Sequence, residues 1–175
     1  MATQGATRGP RLGAALVTGA GRRLGRAMAL ALAARGYDVA IHYYRSAEDA
    51  ERTADDARAL GVRAVTLQAD LLDLDRVEAL VPEAARQLGP LTVLVNNAGM
   101  NVEASALDMS PEDWDAMYAV NVRAPFIGSR EAARAVKDAL PFLTTAETVT
   151  VVAAGEDAGT SLDTVTTLLK RHGVA

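Results

Sequence analysis

The sequence predicts an α/β domain: a five-stranded parallel sheet in the order 3-2-1-4-5, covered by helices on both faces to make three layers. Two observations carry this expectation. Short apolar, β-branched runs alternate five times with helix-forming runs, without an internal repeat or a low-complexity linker. The first apolar run, Ala14 to Val17, also passes through a Gly/Arg-rich turn directly into an alanine- and leucine-rich segment. That is how a parallel strand hands over to its crossover helix. Right-handed crossovers then favour the stated strand order.

Each element has its own reason. Strand one is Ala14 to Val17, and helix one runs from Arg23 to Arg35 with Gly36 as its C-terminal cap. Strand two is Tyr37 to Tyr43. Ser46-Ala47-Glu48-Asp49 places an acid three residues after a serine, a capping-box pattern that opens helix two, which ends at Gly61. Strand three is Val62 to Gln68. Helix three starts at Asp73 or Asp75, has to tolerate Pro82 or bend there, and is broken by Gly89-Pro90. Strand four, Leu91 to Val95, is apolar enough for the centre of a parallel sheet. A loop from Asn97 to Met109 leads to Ser110-Pro111, a serine cap followed by a first-turn proline. That helix is expected to reach about Leu140, with Pro125 as a kink and Pro141 as a stop. Thr148 to Val152 reads as strand five and Leu162 to Arg171 as a last helix, ended by Gly173.

Composition limits the function. The chain's 175 residues suit one domain, and half of them are hydrophobic, enough for a core. With aromatics at 4%, that core has to rest on Ala, Val and Leu. A net charge of −4 argues against a general nucleic-acid binder. Without cysteine there is no disulfide or thiol chemistry, and a cytoplasmic setting fits. The two histidines, His42 and His172, lie too far apart in sequence to suggest a metal site. No apolar run is long enough to cross a membrane, and Met1 to Leu12 reads as a flexible arm.

Four segments converge at the carboxyl ends of the strands, where open α/β sheets bind ligands. The turn after strand one aims backbone N–H groups and a helix N-terminus at one spot, which suits a phosphate; Arg22 and Arg23 add charge, and Gly19 and Gly25 permit close approach. The plain alternative is a tight turn without a ligand. After strand two, no acid is present to hold ribose hydroxyls, and Arg45 with Ser46 offers a seat for a 2′-phosphate. Otherwise Arg45 is a solvated loop residue. Asp70 after strand three either accepts from an adenine amino group or caps a helix. After strand four, Asn96-Asn97-Ala98-Gly99 gives two amides and then two small residues that leave room for a ribose or ring.

Thr18 to Gly25, Asp70, Asn96-Asn97-Ala98-Gly99 and Asn121-Val122-Arg123-Ala124-Pro125 resemble the short-chain dehydrogenase/reductase family over about residues 10–127. The family's turn reads TGxxxGxG, and here Arg23 stands at the middle glycine. Together with His42-Tyr43-Tyr44-Arg45-Ser46, this is similar to the pteridine-reductase-like branch, which uses NADPH. The resemblance implies a Rossmann-like fold and a dinucleotide ligand, NADP(H). It implies cofactor contacts at Gly19, Arg22, Arg23, Leu24, Gly25, Tyr44, Arg45, Ser46, Asp70, Leu71, Asn97, Ala98 and Gly99.

The family's catalysis also needs a serine after strand five and a Tyr-x-x-x-Lys on the next helix, where the tyrosine moves the proton. The tyrosines here are Tyr37, Tyr43, Tyr44 and Tyr118, and the lysines Lys137 and Lys170, so that spacing does not occur. Asn121 alone of the family's catalytic set is matched. From about residue 128, Gly128 to Val136, Ala139 to Leu143, Val149 to Val152 and Leu168 to Val174 resemble the universal stress protein family. This reading makes the chain chimera-like, joined within one helix around Phe126 to Arg130. Three functions then compete: an NADP(H)-binding domain without reductase activity and with no catalytic residue, a structural fold without a ligand, and an NADPH-dependent oxidoreductase.

Overall fold

The structure, a computed structural model, describes residues 12–143. Its centre is a parallel sheet of β1 (Ala14–Val17), β2 (Asp38–Tyr43), β3 (Ala64–Gln68) and β4 (Leu91–Val95), in the order β3-β2-β1-β4. Four strands of the expected order are therefore present among the described residues. The expected fifth strand at 148–152 and last helix at 162–171 lie outside them. Packing divides the chain between Ala135 and Val136, and the core and site below belong to the first unit.

Alternation along β1 separates the two faces, because successive side chains of a strand point oppositely. Ala14 and Leu16 join Ala40 and Leu67 in a core under α3 (Leu74–Leu88) and α5 (Ala124–Leu143). Ala15 and Val17 join Val39 and Ile41 under α1 (Arg23–Ala34) and α2 (Ala47–Ala59). The helices over the second face meet the sheet through alanines: Ala29 and Ala33 from α1, and Ala50, Ala54 and Ala57 from α2. Small side chains there bring helix and sheet close together, which is how a chain poor in aromatics still fills its core.

Several expected boundaries and causes change. Asp73, not Asp75, caps α3; its carboxylate accepts from the N–H groups of Asp75 and Arg76. Pro82 stays inside the unbroken helix on its exposed side, where water can meet the carbonyl that the proline leaves without a donor. Ser46 does not form the expected capping box: its backbone (φ −92°, ψ 61°) is not extended, and its side chain makes no cap hydrogen bond. Gly36 (φ +95°) ends α1 as expected. The expected long helix after β4 is interrupted. It runs as α4 (Pro111–Tyr118), then a π-turn (Ala119–Arg123), then α5. Pro125 would disturb a regular helix just here, and widening the preceding turn makes room for it. Pro141 does not stop the helix, which continues to Leu143. β4 pairs only with β1 among the described residues; its expected central place depends on the strand expected at 148–152, which lies outside them.

Candidate dinucleotide site

A cavity of about 770 Å³ opens at the carboxyl ends of the four strands. All thirteen residues expected to meet a cofactor line it. Gly19, Arg22, Arg23, Leu24 and Gly25 come from the turn after β1, and Tyr44, Arg45 and Ser46 from the segment after β2. Asp70 and Leu71 follow β3, and Asn97, Ala98 and Gly99 follow β4.

The first turn is tied down on all sides. The Thr18 hydroxyl accepts from the N–H groups of Asn97 (2.9 Å) and Ala98 (3.0 Å). The Asn97 side-chain amide donates to the Thr18 carbonyl at 2.8 Å. Asn97 thus spends its amide on joining β1 to β4. Thr53 of α2 donates to the Gly21 carbonyl at 3.0 Å from the other side. The two glycines serve this packing. A Cβ on Gly19, whose φ is +63°, would stand 3.0 Å from the Ala98 Cα; one on Gly25 would stand 2.3 Å from the Gly19 carbonyl oxygen. Both were expected to admit a ligand, and at Gly25 the space goes instead to protein backbone.

Arg23 carries the unusual backbone of the site. Its φ is +51°, the sole positive φ of a non-glycine residue among the described residues. A left-handed backbone costs an ordinary side chain roughly 1–2 kcal/mol. Arg22, Arg23 and Arg45 are all exposed along the cavity wall. Arg45 lies over the Tyr44 ring, 4.5 Å from its centroid, and donates to the Tyr44 hydroxyl at 2.9 Å. The guanidinium is therefore shelved on a neighbouring ring, not loose in solvent. Asp70 caps its own turn, accepting from the Leu72 N–H at 3.0 Å. Asn121, on the π-turn, grips Met100 by both backbone groups: it accepts from the Met100 N–H (2.8 Å) and donates to the Met100 carbonyl (2.7 Å). A carboxamide paired this way holds the loop after β4 against the helix.

Sequence reasoning missed His42. It is 1% exposed on β2, and burial pushes its imidazole below the ordinary 6.5, partly offset by a hydrogen bond with the Ala69 carbonyl. Its ring Nδ1 accepts from the Gly19 N–H at 3.1 Å, and its backbone carbonyl accepts from the Ala20 N–H at 2.9 Å. Two of the turn's amides are thus turned into the protein. The signal was present: His42 is a polar residue inside the apolar strand run Asp38–Tyr43. Among the described residues there is no cluster of metal-binding side chains, and no helix is long and apolar enough to cross a membrane.

The cavity fits a dinucleotide: it has the volume, a glycine-lined turn at a helix start, and three arginines against one aspartate. Comparison with known proteins agrees in kind. The chain is 42% identical over 112 residues to the 3-oxoacyl-(acyl-carrier-protein) reductase FabG of Staphylococcus aureus, covering 64% of this chain and 46% of that protein. It is 39% identical over 124 residues to versicolorin reductase 1 of Aspergillus parasiticus, covering 71% of this chain and 47% of that one. A crystal structure of a short chain dehydrogenase from Burkholderia cenocepacia in complex with NADP superposes with a TM-score of 0.69 at 45% identity, covering 71% of this chain and 51% of that chain. The chain spans about half the length of the curated relatives it matches. A family model, described as short chain dehydrogenase, matches residues 13–141. The match crosses the join expected around Phe126 to Arg130, so the reductase-type stretch is longer than the motifs alone suggested. By that match, which takes in most of the chain, this protein belongs to the short chain dehydrogenase family.

Proposed function

We propose that this chain binds NADP(H) through the cavity above β1–β4 and does not by itself reduce a carbonyl. The observation that carries the binding half is Arg45, which is exposed at the end of β2 and shelved on Tyr44 where no carboxylate stands to hold ribose hydroxyls. Arg45 and the Ser46 hydroxyl seat the 2′-phosphate. The turn at Arg22 and Arg23 meets the pyrophosphate, and the left-handed backbone of Arg23 supports this, since strain of that kind is kept where a side chain is needed. Asp70 receives the adenine, and Ala98 and Gly99 leave room for the nicotinamide ribose. When bound, the cofactor supplies a hydride; the residues described here bind and orient it. The fit to the pteridine-reductase-like branch rests on the same Arg23 and Arg45.

The catalytic half of the proposal rests on residue types. Carbonyl reduction needs a proton at the developing alkoxide, and a positioned acid contributes about 10²- to 10⁴-fold. Asn121 holds Met100 and has no titrating proton to give. Tyr118 lies on α4, a turn before Asn121, and is half exposed. The sequence has no Tyr-x-x-x-Lys.

The experiment is NADPH oxidation measured with a panel of ketones and pterins, beside a binding titration of the same preparation. Binding without turnover above the buffer blank is the expected result. Turnover that disappears in Tyr118→Phe contradicts the catalytic half, and absence of binding contradicts the first.

A further inference from the structure

The ring of His42 crosses from the turn after β1 to the end of β3. Because the Gly19 N–H donates to Nδ1, the ring proton sits on Nε2, which donates to the Ala69 carbonyl at 3.2 Å. Both nitrogens are satisfied only in this neutral tautomer. Gly19 is also the glycine of positive φ in the turn, +63°, and its carbonyl packs under Gly25, so the shape of the turn passes through it. We infer that His42 is a positioning residue for the proposed dinucleotide site, holding the turn after β1 in its binding shape through Gly19, and that a proton gained at Nδ1 releases the turn and weakens binding. This rests on the reading that the cavity takes NADP(H).

The physical reason is donor against donor. A proton on Nδ1 would face the Gly19 N–H, leaving one buried donor without an acceptor and a cation inside the fold. The surrounding groups do not rescue it. Arg22 and Arg23 on the turn and Arg45 along its own segment share the cavity with it, and all are cationic. Tyr43 and Tyr44 are the neighbouring phenols, and Asp70 after β3 is committed to the Leu72 N–H. Arg76 of α3 donates to the Gln68 carbonyl, one residue before Ala69. Burial opposes the charged form, so the neutral ring persists below the ordinary histidine range.

The test uses the whole chain with NADPH and NADH at about pH 7.5 and about pH 5.5, where histidine is the side chain whose ordinary titration falls. NADH serves as the second ligand because the 2′-phosphate of NADPH itself titrates near about pH 6. Wild-type affinity for both is expected to fall on acidification, by less than about tenfold, because a ring held below 6.5 is only partly protonated at about pH 5.5. His42→Asn keeps an acceptor for Gly19 and is expected to flatten the profile for NADH. His42→Gln keeps reach to Ala69 without that acceptor and is expected to bind more weakly at both values. His172→Asn, changing the chain's other histidine, should behave as wild type. A second readout needs neither ligand nor variant: nitrogen NMR of the free protein should show the Nε2–H tautomer at neutral pH, with the Gly19 amide moving in step with the His42 ring on acidification. A Gly19 amide that ignores the ring, or equal pH profiles in wild type and His42→Asn, overturns the inference. If wild type binds neither nucleotide, the functional reading fails, and the Gly19 titration still decides this one.

Discussion

β1 and β4 are hydrogen-bonded neighbours with similar sequences, Ala-Ala-Leu-Val and Leu-Thr-Val-Leu-Val, yet all of β1 is buried while β4 is only partly buried, with Thr92 exposed. The difference continues past the strands. The turn after β1 is held by Thr18, Asn97, His42 and Thr53. The helical segment after β4 shows solvent a row of large apolar side chains: Trp114 (61%), Tyr118 (54%), Val122 (48%) and Phe126 (64%). Composition makes a strand, but its neighbours decide what the strand costs to disturb. On this comparison the turn after β1 is fixed from several sides, while the loop after β4 beyond Ala98 is held by Asn121 on Met100 and by Met117 on Val102.

The sharpest way to break this contrast is one methyl group on each side. Gly25→Ala drives a Cβ into the Gly19 carbonyl and the Asn97 amide and is expected to destabilise by about 1–3 kcal/mol, since backbone or a hydrogen-bonded side chain has to give way. Gly99→Ala meets nothing nearer than the Asn121 side chain at 3.5 Å, an ordinary contact, and should melt close to wild type. Thermal unfolding of both reads the comparison directly, and equal losses would erase it. A smaller effect is expected at Arg23. Arg23→Gly removes left-handed strain of roughly 1–2 kcal/mol but adds chain entropy of about 0.5–1 kcal/mol, so the melting temperature should hold or rise slightly. NADPH binding should weaken at the same time. A fall in melting temperature would mean that the arginine serves the fold.

Acid sharpens the comparison through His42. Its folded-state value lies below the ordinary 6.5, so as pH falls through 6.5 the unfolded chain takes up a proton that the folded chain refuses. Stability should therefore decline from pH 6.5 downward until the folded ring itself protonates, and stay level above. His42→Asn should lose this slope in denaturant titrations. The smallest effect belongs to the exposed row: Phe126→Ala should change stability by within about 0.5 kcal/mol, as surface changes do. A loss of core size there would show that the side chain is covered in solution.

Much of this was legible in the chain. The four strands and their order follow from apolar runs broken by glycine, while the full set of thirteen cavity residues came with the family resemblance. What escaped has a common cause: it depends on contacts between distant segments. The Thr18 hydroxyl could not announce Asn97 and Ala98 as its partners. His42 could not announce that Gly19 on another strand end would supply its donor. Nor could Gly25 reveal that backbone, not ligand, fills the space beside it. The π-turn was half visible, since Pro125 signalled an irregularity, expected as a kink, and the helix widens in the turn before it instead. Ser46 shows the converse error. Its spacing to Asp49 was right for a cap, but the chain leaving β2 holds a backbone that cannot make one.

The central claim is that this cavity selects a dinucleotide bearing a 2′-phosphate, and it is tested most directly by titrating wild type and Arg45→Ala with NADPH and NADH. Wild type should bind NADPH more tightly than NADH. Arg45→Ala should lose about 1.5–3 kcal/mol for NADPH, the worth of a hydrogen bond to a charged group, with NADH nearly unchanged. Equal weakening of both nucleotides, or no preference in wild type, would contradict it.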